Sequence, residues 1–313
     1  MTKILILCDY FGQFPPWFFL YLESCRANPT IDWLIHTDNY PDLDLPPNVR
    51  LSVMSFPDYC SRASDILNVR FAPASPYNIC NLRPMFGIVH ATASRGYDLI
   101  GWGDIDVIYG QIRSIYTDEI LTANVISSDP EICSGHLTLM RNEPWLCEAF
   151  YNLHDWRDRL EEPLPCEWAD SLDESHLTAL FSPDPLARAK AEYRSGSRAP
   201  NPKFYINNYF KEQWTTPFTP KRWRDGSEIH PETWFWRDGE ITNVHDGSRR
   251  FLYLHIMNFK AKRWVNERLY GDAPTWDLLD QCVQFKVEEL RRRKPGSRHV
   301  QIDRRGLHLM PST

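Results

Sequence analysis

An α/β fold, with a mixed and mainly parallel sheet flanked by helices, is predicted by three features of this 313-residue chain. Its N-terminal apolar run, Ile4-Leu5-Ile6-Leu7-Cys8, is short and unbroken, as in strands covered on both faces. Strand-like and helix-like segments alternate through the first half, the pattern of a sheet with crossover helices. Acidic residues (Asp9, Asp38 and the pair Asp104/Asp106) close the strand-like segments. In open α/β sheets that edge is where ligands bind.

Taken in order, residues 3–8 read as the first strand. Pro15-Pro16 opens a helix over 17–25, because proline fits the first helical turn. Residues 31–37 and 49–56 read as strands two and three. A helix follows over 84–93, then a strand over 97–102 that runs into the aspartate pair. A helix over 112–121, strands over 124–127 and 137–140, and a helix over 144–159 come next. Ser171 or Asp173 caps a helix reaching Phe181. Residues 183–203, rich in Pro, Arg, Ala and Ser, read as a long loop of the kind that serves as a lid. Asp238-Gly239 between apolar flanks marks a hairpin over 234–244. A late strand covers 251–256, and an amphipathic helix over 274–293 leads into a basic tail. This organisation divides the chain into a main domain, 1–272, and a C-terminal helical extension, 273–313.

Composition narrows the partners. The net charge of −6 argues against nucleic acid. Eight cysteines, none in a Cys-x-x-Cys pair, offer neither a zinc ribbon nor a disulfide framework and suit reduced thiols in a cytoplasmic protein. No apolar run approaches the roughly 20 residues of a membrane span, and no cleavable leader is visible. The basic run Arg291-Arg292-Arg293-Lys294, with Arg298, Arg304 and Arg305, reads either as a solvated helix end or as a patch for peripheral contact with an anionic membrane face. Twelve tryptophans fit a bulky core or aromatic-lined clefts.

The richest stretch is Gly101-Trp102-Gly103-Asp104-Ile105-Asp106-Val107-Ile108-Tyr109-Gly110. In an extended chain, positions i and i+2 share a face, so both carboxylates reach one point. Two such charges repel unless one stays protonated or a cation joins them. Hard oxygen ligands suit magnesium or manganese. The plainer reading is a strand end whose aspartates meet water or a nearby arginine. The glycines on either side let backbone come close to a ligand.

Together with Cys80-Asn81-Leu82-Arg83-Pro84-Met85-Phe86-Gly87 and Cys133-Ser134-Gly135-His136-Leu137, this stretch resembles a bacterial glycosyltransferase-like family of the GT-A (Rossmann-like) fold, related to capsular and surface-polysaccharide enzymes, over roughly the first 270 residues. The resemblance implies a nucleotide-sugar donor, a UDP-sugar for preference, a divalent ion (Mn2+ or Mg2+) and a glycan or lipid-linked acceptor. It makes Asp106 the direct metal ligand and Asp104 its helper on the metal or ribose. His255 becomes the third ligand. Glycosyltransferase family 8 has a similar histidine followed by lysine and tryptophan, which makes Lys260 or Lys262, the latter with Trp264, the neutraliser of the diphosphate.

On the same terms Asp9 and Asp38 meet the base or ribose, with turn or cap roles as the alternative. Arg83 meets a phosphate or the sugar, or pairs with Asp104. Ser134, Gly135, His136 and Trp168 fall to the sugar. Asp173 and Glu174, at a helix start where carboxylates are favoured, take the acceptor proton or hold the donor sugar, or simply cap the helix. Two other function classes stay open: a nucleotide-sugar-binding protein without catalysis, and a metal-dependent nucleotidyltransferase or phosphodiesterase using the same pair.

Overall fold

The computed structural model describes residues 1–162, 171–261, 274–294 and 296–311. Its frame is a seven-stranded mixed sheet. Strands β1 (Ile4–Asp9), β2 (Ile31–Thr37), β3 (Val49–Val53) and β4 (Leu99–Gly103) run parallel in the order β3-β2-β1-β4. Beyond β4 the sheet continues as β7 (Leu137–Arg141), antiparallel to it, then β6 (Val125–Ser127) and β8 (Tyr209–Phe210). The chain moves outward from β1 to β2 and β3, then returns to place β4 on the other side of β1. That reversal opens a crevice at the carboxyl ends of β1 and β4.

Alternation along β1 divides the core. Ile4, Ile6 and Cys8 pack with the helix Phe18–Arg26 and a second sheet, while Leu5 and Leu7 pack with the helix Phe56–Leu67 and the segment that follows β7. The second sheet is antiparallel and five-stranded. It comprises β9 (Trp234–Arg237), β10 (Glu240–Asn243), β11 (Gly247–Phe251), β13 (His299–Asp303) and β14 (Gly306–Leu309), in the order β11-β10-β9-β13-β14. The β9–β10 turn carries Asp238 and Gly239 at positive φ, as expected of an Asp-Gly hairpin. A separate two-stranded ribbon joins β5 (Val107–Tyr109) to β12 (Tyr253–His255).

Several expected elements differ. The helix over 84–93 is a 3-10 segment, Pro76–Met85, followed by one α-helical turn, Phe86–Val89. Likewise the helix over 112–121 shortens to Ile112–Ile115. The helix over 144–159 is interrupted at Leu153 and at Asp155, which has φ 51°, so Pro144–Cys147 and Trp156–Glu161 are distinct. Residues expected as a loop from 183 hold the helix Pro185–Ser195, with Asp184 accepting from the Ala187 amide at its start and Gly196 left-handed at its end.

At the C-terminus, the single helix over 274–293 gives way to a 3-10 turn, Trp276–Leu278, and a short helix, Val287–Arg291. Between them the chain bends and bridges to residue 307: the Leu307 amide donates to the Cys282 carbonyl at 2.7 Å, and the Gln284 amide to that of Leu307 at 2.9 Å. The basic tail becomes β13 and β14. Its cations are largely spent inside the molecule: Arg298 lies 3.0 Å and Arg291 3.8 Å from the carboxylate of Glu23, which is buried, and Arg304 is buried over the Phe218 ring. A membrane-facing role for this run has no support in that arrangement. Trp234 and Trp236 are fully buried between the sheets. No helix among the described residues is long and apolar enough to cross a membrane.

Candidate active site

Asp104 and Asp106 lie in the turn between β4 and β5 rather than in a strand. The Val107 amide donates back to the Asp104 carbonyl at 3.3 Å, which closes the turn and still sends both side chains to one place. The ribbon β5–β12 sets His255 opposite Val107. As a result one oxygen of each carboxylate and one ring nitrogen of His255 lie within 4.8 Å of one another. Thr216 Oγ1 holds His255 Nδ1 at 3.2 Å, leaving Nε2 to face Asp106 Oδ1 at 3.4 Å.

Each aspartate also meets a cation of the protein itself. The Lys260 ammonium is 2.5 Å from Asp106 Oδ2, and Arg83 Nη2 donates to Asp104 Oδ1. Burial pushes the Asp106 carboxyl upward, but Lys260 and His255 outweigh it and hold the group well below the usual carboxylate range. For Lys260, burial disfavours the charge, yet Asp106 and then Asp104 raise its pKa above that of a free lysine.

Arg83 is the hub on the opposite side. Its Nη1 donates to the Gly135 carbonyl at 2.6 Å and to Asp173 Oδ2 at 2.8 Å while Nη2 serves Asp104. Asp173 and Glu174 come from a π-helical turn, Leu172–His176, that wraps one residue wider than an α-helix and presents both carboxyls to the 134–136 loop. Glu174 Oε1 accepts from the Gly135 amide at 3.1 Å. A side chain at Gly135 would place its first carbon 2.7 Å from that oxygen and 3.1 Å from Asp173 Oδ2, so it would have to push the Glu174 carboxyl aside. Burial, then the Asp173 carboxylate, push Glu174 up to about 8, and burial raises Asp173 as well. Ser134 Oγ lies 3.2 Å from the His136 ring, which stacks on His255 with centroids 4.2 Å apart. Burial, with His255 beside it, drives His136 well below the ordinary imidazole pKa, so it is neutral at pH 7.

The geometry thus brings together Arg83, Asp104, Asp106, Ser134, Gly135, His136, Asp173, Glu174, His255 and Lys260. Asp38 stands apart on an exposed loop, where it accepts from the Gly12 amide at 2.8 Å. Lys262, Trp264 and Trp168 lie outside the described residues.

Asp9 does not fit contact with a base or ribose. Its carboxylate is fully enclosed, with Oδ1 2.7 Å from His36 Nδ1, Oδ2 3.0 Å from His90 Nε2, and the Tyr59 hydroxyl donating to Oδ2. Sequence reasoning missed that cluster, because its members come from four separate segments. It also missed Thr216, which holds His255. A polar residue after each of two strands was the available signal for Asp9 and His36, and nothing marked Tyr59 or His90.

The model of a family of unknown function, DUF6625, matches residues 6–272. Among solved structures the chain is similar to the galactosyltransferase LgtC in complex with donor and acceptor sugar analogues, at 8% identity over 70% of this chain and 76% of that one, with TM-score 0.33. It is similar to the glycosyltransferase GlyE of Streptococcus pneumoniae TIGR4, at 9% identity over 68% and 46%, with TM-score 0.31. A third similarity is to mouse xyloside xylosyltransferase 1, at 8% identity over 72% and 90%, with TM-score 0.36. No curated protein matches. With most of its length matched by that one family model, the chain belongs to the family of unknown function DUF6625.

Proposed function

We propose that the protein is a GT-A-type glycosyltransferase that moves a sugar from a nucleotide-sugar donor, a UDP-sugar for preference, to a glycan or lipid-linked acceptor in surface polysaccharide synthesis. The observation that carries the reading is the convergence of Asp104, Asp106 and His255 at the carboxyl edge of the sheet, beside the crevice between β1 and β4. Two carboxylates and an imidazole form a donor set that suits Mn2+ or Mg2+. The Lys260 ammonium already seated there shows that the pocket accepts positive charge. Asp104, Asp106 and His255 would hold such an ion, which would supply Lewis-acid stabilisation to a departing diphosphate.

The chain's own residues account for the remaining demands. A nucleoside diphosphate gains negative charge as the sugar–phosphate bond breaks, and Arg83 and Lys260 bring positive charge beside the aspartates. The donor sugar is assigned to the half-buried, neutral His136 and the Gly135 backbone, with Ser134 buried behind them and 3.2 Å from the His136 ring. Asp173 and Glu174 border Gly135. Glu174, protonated at pH 7, is a hydrogen-bond donor to a sugar hydroxyl, whereas Asp173 is tied to Arg83.

The test is release of nucleoside diphosphate from a panel of nucleotide sugars, with and without Mn2+. We expect one donor to turn over only with the metal, and Asp106→Asn to lower that turnover about 10²- to 10³-fold, as for loss of one electrostatic stabiliser. Turnover unchanged in the variant sinks the assignment. Release of monophosphate or pyrophosphate instead would move the reading to phosphodiester or nucleotidyl chemistry at the same pair.

A further inference from the structure

Among the described residues two lysine or arginine side chains touch the aspartate pair, and they are held very differently. Arg83 is fixed by three acceptors, Asp104, Asp173 and the Gly135 carbonyl, and its side chain is 16% exposed. Among the described residues Lys260 has one short partner, Asp106, and 27% of its side chain is exposed. It ends the four-residue helix Met257–Lys260, and its ammonium lies 5.7 Å from the centre of the Trp17 ring. The ionisable groups facing it are Asp106, Asp104 and the Tyr10 phenol. Asp106 itself is 5% exposed, so an oxygen of this carboxylate left without a cation would be a buried, uncompensated charge.

We infer that Lys260 is a displaceable counter-cation: it neutralises Asp106 while no metal is bound, and it leaves when a divalent ion takes that carboxylate, freeing its charge for the diphosphate of the donor. The inference rests on the metal reading of the Asp104/Asp106/His255 cluster. A lysine suits the task because its ammonium is a compact charge on a flexible stem, without the planar fork that locks Arg83 in place. A divalent ion and the ammonium compete to neutralise the same buried Asp106 carboxylate, so each weakens the binding of the other. Whatever draws the ammonium outward therefore favours the metal, and the metal favours whatever binds the ammonium. Coupling of this kind is reciprocal. It makes metal and diphosphate bind cooperatively through a side chain, in addition to any direct contact between them.

The test measures Mn2+ binding to the full chain from the paramagnetic resonance signal of free Mn2+, for the wild type, Lys260→Met and Asp106→Asn. Lys260→Met should bind Mn2+ about tenfold more tightly, within the range of ordinary coupling effects. It should also lose part of the gain in Mn2+ affinity that UDP gives the wild type. Unchanged or weaker Mn2+ binding in Lys260→Met overturns the role. Asp106→Asn separates the two readings. If it binds Mn2+ as the wild type does, the metal site itself fails, and the inference with it. If it loses Mn2+ while Lys260→Met keeps the wild-type affinity, the metal site stands and the displaceable lysine does not. A measurement on the unmodified chain needs no variant to fold: acylation of Lys260, followed by mass spectrometry, should accelerate when Mg2+ is added. An unchanged or slower rate overturns the inference.

Discussion

Glu174 keeps its proton where an exposed glutamate would lose it, since burial and the neighbouring Asp173 push it up to about 8. The sign of the consequence follows from the proton count. With the folded value above the unfolded one, near 4.3, the group's contribution to stability is complete in acid and is lost as pH rises through about 8. The slope can reach about 1.4 kcal/mol per pH unit within that window. Glu174→Gln, neutral at every pH, should therefore match the wild type near pH 4 and unfold at a higher urea concentration near pH 8. Parallel denaturation curves across the range would contradict it. At this scale the sequence announced the aspartate pair and its glycine flanks, because those residues are contiguous. It also offered the plainer reading, an arginine beside an aspartate, and Arg83 does donate to Asp104. What it withheld was the burial of Asp9. A carboxylate at a strand end looks the same in sequence whether it faces solvent or two imidazoles and a phenol, and only the tertiary arrangement of His36, Tyr59 and His90 decides between them.

Strands were easier to read than helices. A buried parallel strand is an apolar run with nothing else to explain it, and β2 falls on the expected residues, 31–37. Helices here are short, and several are replaced by 3-10 or π turns whose spacing does not repeat every 3.6 residues, so periodicity misjudges them. The helix Pro185–Ser195 shows the reverse case: its polar composition suggested a loop, while its boundaries carried standard signals, Asp184-Pro185 at the start and Gly196 at the end. Because Asp184 satisfies the Ala187 amide, Asp184→Ala should destabilise the protein by about 1 kcal/mol, read as a lower urea midpoint with an unchanged slope. A variant indistinguishable from the wild type would show that tertiary contacts alone maintain this helix.

Across the whole molecule, the C-terminal segment is structural. Strand β13 inserts between β9 and β14, and Val300, Ile302 and Leu307 are completely buried with Trp234 and Trp236. Ile302→Ala should thus cost about 2–5 kcal/mol, as for other buried aliphatic truncations, and a loss below 1 kcal/mol would mean that the second sheet is only loosely attached. The amphipathic pattern read over 274–293 was real in its apolar residues. Its conformation depended on a partner, β14, that a single sequence cannot place.

The ribbon between β5 and β12 has a consequence for how the protein is made. It joins residues well over a hundred positions apart, and ordering so long a loop costs about 4 kcal/mol before any contact repays it. During synthesis the aspartate pair leaves the ribosome long before His255 and Lys260 do. A nascent chain ending near residue 250 would carry the two carboxylates with neither the imidazole nor the ammonium opposite them. The candidate centre thus cannot exist as a local motif awaiting a scaffold, and it is complete only once the chain has been made past residue 260.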